Sequence, residues 1–113
     1  NGGHGVTKNL ATAATWFRKA AEAGYAGGQH NLGNCYYQGT GVTKNLATAR
    51  SWYQKAADGG DVNAIRKLGT MMVKGEGGAK QVSEGAALWE RAAAMNDQQS
   101  QANLDQLSGC IFQ

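Results

Sequence analysis

The stretch Gly41-Val42-Thr43-Lys44-Asn45-Leu46-Ala47-Thr48-Ala49 repeats, residue for residue, the stretch Gly5-Val6-Thr7-Lys8-Asn9-Leu10-Ala11-Thr12-Ala13, 36 residues earlier. Extending the overlay outward, residues 3–38 agree with residues 39–74 at 17 of 36 positions. A third unit at 75–110 keeps seven identities with the second: Gly75, Gly77, Lys80, Ala92, Ala93, Asp97 and Leu104. Chance does not return the same offset twice. A period of this length belongs to stacked supersecondary units, each too small to bury its own apolar face. The 113 residues therefore read as one repeat domain of about three 36-residue units, 3–38, 39–74 and 75–110.

Two helical patterns alternate within a unit. Leu46, Ala49, Trp52, Tyr53, Ala56 and Ala57 recur at the three- and four-residue spacing of one helix face. Asn45 suits the N-cap of that helix, and Gly59–Gly60 a left-handed stop. Ala64, Leu68 and Met72 mark one face of a second helix that closes at Gly75. The pattern predicts helices over 9–23, 26–38, 45–58, 62–74, 82–95 and 98–109. The glycine pairs at 3–5, 39–41 and 75–77 read as turns between them. A phosphate-loop reading of those glycines lacks both a preceding strand and a Lys-Ser/Thr step. The expected class is all-α, with Leu32, Leu68, Trp16, Trp52 and Trp89 filling the spaces between helices. Alanines at 20, 21, 49, 56 and 57 and glycines at 33 and 69 let the backbones approach.

Composition agrees with short helices separated by glycine turns. The chain has 17 Gly and no Pro, and 42% of its residues are hydrophobic. No apolar run approaches the roughly 18–20 residues that span a bilayer, so no membrane insertion is expected. The net charge of +3 is unevenly spread: residues 1–56 carry six bases and one acid, and residues 57–113 five bases and seven acids. Such a dipole can orient a partner or stack copies head to tail. The bases are scattered and no nucleic-acid motif accompanies them, so no nucleic-acid partner is expected.

The pattern A-x3-L-G-x2-Y-x2-G-x-G-V-x-K-N-x3-A-x2-W-Y-x-K-A-A-x2-G resembles the Sel-one-like repeat, a relative of the tetratricopeptide repeat. It runs here through Gly28, Leu32, Gly33, Tyr36, Gly39, Gly41, Val42, Lys44, Asn45, Ala49, Trp52, Tyr53, Lys55, Ala56, Ala57 and Gly60. It continues through Ala64, Leu68, Gly69, Met72, Gly75 and Gly77. The resemblance implies a right-handed α/α superhelical solenoid that serves as a scaffold or adaptor for other proteins, frequent in bacteria and often exported. It favours the periplasm or a secreted location over the cytoplasm. Several positions depart from the pattern. Gly28 stands where the family prefers Ala, and Met72 where it prefers an aromatic. The third unit has Leu88-Trp89 for Trp-Tyr, Asn96 for Gly, Asp105 for the Gly of Leu-Gly, and Ile111 where another turn glycine should fall. These losses read as a terminal cap. At the other end the face of the 9–23 helix is left open, as though an upstream repeat were missing, and self-association through that end is a further possibility.

No enzyme constellation is visible: no S-x-x-K, no K-T-G and no G-x-S-x-G. Neither His4 nor His30 has a ligand partner four residues on, so no metal or cofactor is expected. Cys35 and Cys110 lie two repeats apart on corresponding helices, about 20 Å if helices are spaced by roughly 8–10 Å, and a disulfide needs about 7 Å. Both are expected as free thiols, Cys35 as a small core residue. Some relatives staple each repeat with a Cys pair seven residues apart. This chain does not, which weakens the case for a disulfide-built secreted protein without excluding the periplasm.

In related solenoids the Ala-Leu-Gly helices line the concave face. Anchored on the Leu-Gly step, the groove should present His30, Asn34, Tyr37 and Gln38 from one helix, and Asn63, Arg66, Thr70, Val73 and Lys74 from the next. These types suit recognition of a peptide or loop of another protein. A convex surface or the turns could carry the contact instead. A structural spacer or oligomerisation segment, and more remotely a weak hydrolase using Ser51 or Ser83, stay open as alternatives.

Overall fold

Six α-helices follow one another in the computed structural model, which describes the backbone of residues 2–112 and the side chains of residues 9–109. They are α1 (Gly2–Glu22), α2 (Ala26–Gln38), α3 (Leu46–Asp58), α4 (Val62–Lys74), α5 (Val82–Ala94) and α6 (Gln98–Phe112), with no strand among the described residues. Each helix packs on its chain neighbours, α1 on α2, α2 on α3 and so on to α5 on α6. The result is an elongated solenoid of 52 × 27 × 25 Å.

The boundaries follow from local chemistry. Asn45 Oδ1 accepts from Thr48 N–H at 3.0 Å and Asp61 Oδ1 from Ala64 N–H at 3.0 Å, so each satisfies an orphan donor at a helix start. The breaks at the end of α1, α3 and α5 are copies of one another. Gly24, Gly60 and Asn96 adopt φ of 94°, 89° and 69°, and the next residue in each case returns its N–H to the helix, to Ala20, Ala56 and Ala92. Asn96 is the residue other than Gly best suited to that left-handed position, so the third unit keeps the turn although it loses the glycine. Gly60, not Gly59 at φ −82°, supplies the left-handed stop of α3.

Gly41 and Gly77 show why the longer turns need glycine. Both have positive φ, and a Cβ on either would lie 2.4 Å from a backbone oxygen, Leu10 O for Gly41 and Leu46 O for Gly77. Each turn therefore rests directly on the helix that begins the unit before it. The same turn expected at residues 3–5 is not formed, because α1 runs from Gly2. The turn at 39–45 is held by the helix before it: Gly39 and Thr40 donate to Cys35 O and Asn45 to Tyr36 O. Among the described residues no helix precedes α1 to hold residues 3–5 in the same way. The side chains of His4 and Cys110 lie outside the described residues.

The core is centred on α3 and α4, on Ala49, Tyr53, Ala56, Ile65, Leu68 and Met71, all between 0 and 2% exposed. Each large side chain buried this fully contributes about 1.5–3 kcal/mol. The aromatic filling differs from the expectation in register. Trp16 is 62% exposed and Trp52 only half-buried, whereas Tyr53 is 2% and Trp89 6% exposed. Trp89 stands 36 residues after Tyr53, not after Trp52, so the interior register is 53 and 89, and Phe17 at the matching position of α1 is half-buried. Ala49, Tyr53 and Ala56 define the buried stripe at i, i+4 and i+7, and Trp52 falls at its margin. There the ammonium of Lys55 sits 4.5 Å above the Trp52 ring, as that of Lys19 sits 4.7 Å above the Trp16 ring.

Two departures from the repeat pattern have local causes. A Cβ on Gly28 would lie 2.5 Å from Ala20 Cβ, so α1 and α2 cross too closely there for alanine. The Tyr36 hydroxyl accepts from Arg18, whose guanidinium also lies 5.8 Å from the ring centre. One unit on, Gln54 and Met72 replace both members of that pair.

Candidate functional site

Because α3 lies between α2 and α4, those two helices flank an open furrow. It holds a recess of about 210 Å³. Asn34, Tyr37 and Gln38 contribute from α2, Lys67, Thr70 and Met71 from α4, Tyr53 from α3, and Glu76 from the turn after α4. The buried ring of Tyr53 and the side chain of Met71 supply apolar surface, and amides, hydroxyls and two charges supply the rest.

Tyr53 reaches this position because its ring lies against a bare stretch of α2. A Cβ on Gly33 would be 2.7 Å from Cδ1 and Cε1 of Tyr53. The hydroxyl of Tyr53 then donates to Asn34 Oδ1, which also accepts from Lys67 Nζ at 2.6 Å. Asn34 Nδ2 lies 3.3 Å from His30 Nε2. An amide NH₂ can only donate, so Nε2 accepts and His30 is the neutral tautomer protonated on Nδ1. Burial lowers the His30 pKa, and the Lys67 and Arg66 charges add to this while Asp61 opposes it. Burial likewise lowers the Lys67 pKa, with Arg66 adding to the effect and Asp61 opposing it. The Tyr53 hydroxyl is driven far above the ordinary phenol range, first by burial.

At the other end of the recess the Tyr37 hydroxyl donates to both carboxylate oxygens of Glu76, at 3.0 and 2.9 Å. Burial and the Glu76 carboxylate both raise the Tyr37 pKa. The turn that carries Glu76 is clamped from below by Arg50, whose guanidinium donates to Glu76 O, Ala79 O and Gln81 Oε1 at 3.2, 3.0 and 2.7 Å. Glu76 is thereby presented by a fixed turn.

Of the residues expected in the groove, Asn34, Tyr37, Gln38 and Thr70 meet at the recess, and His30 supports it through Asn34. The others lie apart. Arg66 donates to Asp97 Oδ1 at 2.9 Å, with side chains 21% and 13% exposed, and its carbonyl accepts from Trp89 Nε1 at 3.1 Å. Burial disfavours the ionised Asp97, but hydrogen bonds from Ser100 and the Arg66 charge outweigh it and hold its carboxyl below the usual range. Arg66 therefore ties α4 to the start of α6 and supports the fold. Val73 packs against α5, where a Cβ on Gly85 would lie 2.7 Å from its Cγ2. Asn63 and Lys74 are exposed away from the recess. Sequence reasoning missed Lys67, Glu76 and Met71, and placed Tyr53 only in the core. A signal was present, since Lys67 and Glu76 replace Asn31 and Thr40 of the preceding unit.

Among the described residues no three His, Cys, Asp or Glu side chains cluster as metal ligands, and no helix is long and apolar enough to cross a membrane. Cys35 is a free thiol, 6% exposed, and burial pushes its pKa up.

A stack of helix pairs at a fixed period defines a helical repeat solenoid. The Sel1 repeat family model matches residues 1–25, 26–61 and 62–97, and the chain belongs to that family. Among solved structures, it is similar to a Sel1 repeat protein from Oxalobacter formigenes, at 39% identity and a TM-score of 0.79 over 83% of this chain and 39% of that one. It is also similar to c5321, described as a protective antigen present in uropathogenic Escherichia coli strains and displaying an SLR fold. There identity is 36% and the TM-score 0.83, over 87% of this chain and 21% of that one. Cysteine rich protein B of Helicobacter pylori matches at 26% identity and a TM-score of 0.76, over 80% of this chain and 68% of that one. The chain thus spans well under half the length of the first two. No curated protein matches it.

Proposed function

We propose that this chain is a non-catalytic binding module that holds a peptide or loop of another protein in the furrow between α2 and α4. Sel1 repeat proteins are commonly interaction scaffolds. The observation that carries the reading is how the repeat divides its residues. Positions shared between consecutive units build the scaffold: Leu32 and Leu68, Gly33 and Gly69, Gly41 and Gly77, Ala20 and Ala56. The recess is lined by positions at which consecutive units differ. Asn34, Tyr37 and Gln38 stand against Thr70, Val73 and Lys74, and Lys67 and Glu76 against Asn31 and Thr40. A scaffold needs the shared set, and a single specific site needs the differing set. Tyrosine and amide groups on a rigid concave surface are the types that anchor peptides.

The test is selection of linear peptides from a displayed library on the intact chain, followed by affinity measurement. Tyr37→Ala should weaken the selected peptides at least about ten-fold, since an anchoring Tyr costs about 2 kcal/mol or more on truncation. Lys44→Ala, an exposed turn residue outside the recess, should change affinity less than about two-fold. Equal losses in both variants would move the contact to the turns and end the groove reading.

A second reading, a structural or oligomerising segment, draws on α1 and the N-cap residue of α2. Trp16, Tyr25 and Leu10 are 62%, 68% and 39% exposed there. Sedimentation of the chain across concentration separates the two: a monomer that binds selected peptides fits the module, and an assembly that Trp16→Ser dissolves fits the segment.

A further inference from the structure

The Asn34 amide is held from three sides, and the match of those contacts depends on one proton. Its Nδ2 donates to His30 Nε2 at 3.3 Å, and its Oδ1 accepts from the Tyr53 hydroxyl and from Lys67 Nζ, the latter at 2.6 Å. With His30 neutral, each of these contacts joins a donor to an acceptor. A proton on Nε2 breaks the match in either orientation of the amide. Left in place, the amide sets its NH₂ against a second N–H donor. Turned over, it gives Oδ1 to His30 but sets its NH₂ against Lys67, whose ammonium has donors only. Tyr53 alone adapts, because a hydroxyl also accepts. Protonation therefore costs Asn34 either His30 or Lys67, and Asn34 and Lys67 both line the recess. His30 and Asn34 belong to the first unit only. Arg66 and Thr70 hold the equivalent positions in the second, and Ala102 and Gln106 in the third. The repeat scaffold does not require the pair.

We propose that His30 is a proton-operated switch on the recess, which sets the Asn34 amide for binding when neutral and disrupts it when protonated. This names a regulation of the peptide-binding site and rests on that reading. The surroundings of His30 sharpen the effect. α2 itself carries no Asp, Glu, Lys or Arg. From α3 the Tyr53 ring faces His30, with ring centres 6.1 Å apart. From α4 and its cap, Lys67 and Arg66 oppose a positive imidazole, and Asp61, which favours one, already accepts from Ala64 N–H. The described charges of α1 are placed elsewhere: Arg18 donates to Tyr36, Lys19 lies over Trp16, and Glu22 is exposed. Burial first, and then Lys67, bring the His30 pKa below 6.5, so the switch operates in mildly acidic solution. A peptide that needs the neutral form binds evenly above the His30 midpoint. Below it, affinity falls by up to about ten-fold per pH unit, the limit for one proton.

The experiment has a ligand-free arm and a binding arm, both on the whole chain. In the first, the imidazole and side-chain amide resonances are followed by NMR from about pH 8 to about one unit below the His30 midpoint. His30 should carry its proton on Nδ1 at the high end, and the Asn34 amide should move with the same midpoint as the imidazole. In the second, peptides are selected at the high end from a displayed library without Asp, Glu or His. They are remade with blocked ends, so that the ligand itself does not titrate in this range. Their affinity should fall about two-fold at the His30 midpoint and about ten-fold one unit below it. His30→Gln, whose amide oxygen can accept from Asn34 without titrating, should flatten that dependence. His4→Gln, which removes the other histidine of the chain, should keep it. Should His30→Gln not fold, the ligand-free arm on the wild type decides. The proposal is overturned if the Asn34 amide does not follow the imidazole, if wild-type affinity is unchanged below the midpoint, or if His30→Gln retains the fall. Peptides that need Tyr37 yet ignore pH would end this inference alone. Peptides that ignore Tyr37 would end the reading beneath it, and this inference with it.

Discussion

The α2–α3 and α4–α5 junctions are copies made 36 residues apart, and they differ in what their aromatic residue does with its polar end. In the first, Tyr53 lies on Gly33 and its hydroxyl reaches out to Asn34 in the recess. In the second, Trp89 lies on Gly69 and its indole N–H turns back to the carbonyl of Arg66 on the helix it covers. The packing is the same glycine step with an aromatic plate. The first junction opens onto a site because a phenol projects its donor beyond the ring. The second closes on itself because an indole carries its donor at the ring edge. A repeat can thus use one packing solution to line a recess in one unit and to close on itself in the next.

The comparison breaks most visibly when the plates are removed. Tyr53→Ala and Trp89→Ala should each cost about 3–5 kcal/mol in urea unfolding, enough to threaten folding outright, as large-to-small changes leave a void between helices. Trp52→Ala, one residue away, should cost roughly 1 kcal/mol, in keeping with its half-buried position. Equal losses at Trp52 and Tyr53 would return the interior register to 16 and 52.

The glycines come next. A Cβ on Gly69 would meet both the Trp89 ring and the backbone oxygen of Gly85 at 2.8 Å, whereas a Cβ on Gly33 would meet only the Tyr53 ring. A side chain can tilt and a backbone oxygen cannot do so cheaply. Gly69→Ala should therefore destabilise by about 1–3 kcal/mol. Gly33→Ala should cost less, because the Tyr53 ring can shift, while the helix-propensity gain of up to about 1 kcal/mol is common to both. A Gly33→Ala variant as damaged as Gly69→Ala would show that the first junction is as rigid as the second.

Tyr53→Phe probes the projecting hydroxyl alone. It should lower stability by about 1 kcal/mol, the net worth of one hydrogen bond. It should also weaken selected peptides, because Asn34 loses one of the donors that orient it. Unchanged affinity would show that Lys67 suffices to hold Asn34.

The smallest effect is a pH dependence. Protonating His30 removes the acceptor for Asn34 Nδ2 and adds charge beside Lys67 and Arg66, with only Asp61 opposing. Its folded pKa lies below the ordinary 6.5, so its neutral form is favoured in the fold. This stability is fully present above 6.5 and is lost as pH falls below it toward the lowered folded value. Between about pH 8 and pH 5 the urea midpoint should fall less in His30→Gln than in the wild type. Identical slopes would remove His30 from the network.

Much of the scaffold was legible in the residues. The bounds of α2 and α4 follow the apolar period, and Asn45, Gly39, Gly60 and Gly75 each act where their chemistry predicts. The site was legible only in part. Asn34, Tyr37, Gln38 and Thr70 could be placed by counting from the Leu-Gly step, because a helix fixes which positions share a face. Arg66 shares that face, but its guanidinium is claimed by Asp97, 31 residues on. A helix period cannot report such a partner. Lys67 lies beside the expected face, and only the reach of a long side chain across to Asn34 brings its ammonium to the recess.

The period, and with it the family, the helices and the glycine steps, followed from the residues alone, since these depend on positions at most a few turns apart or on exact repetition. Tertiary structure decided which aromatic enters the core, which cation reaches Asn34 and where Glu76 meets Tyr37. Those outcomes depend on contacts between residues as far as 39 positions apart in the chain. They are fixed when α3 sets the distance between α2 and α4, a distance no local pattern encodes.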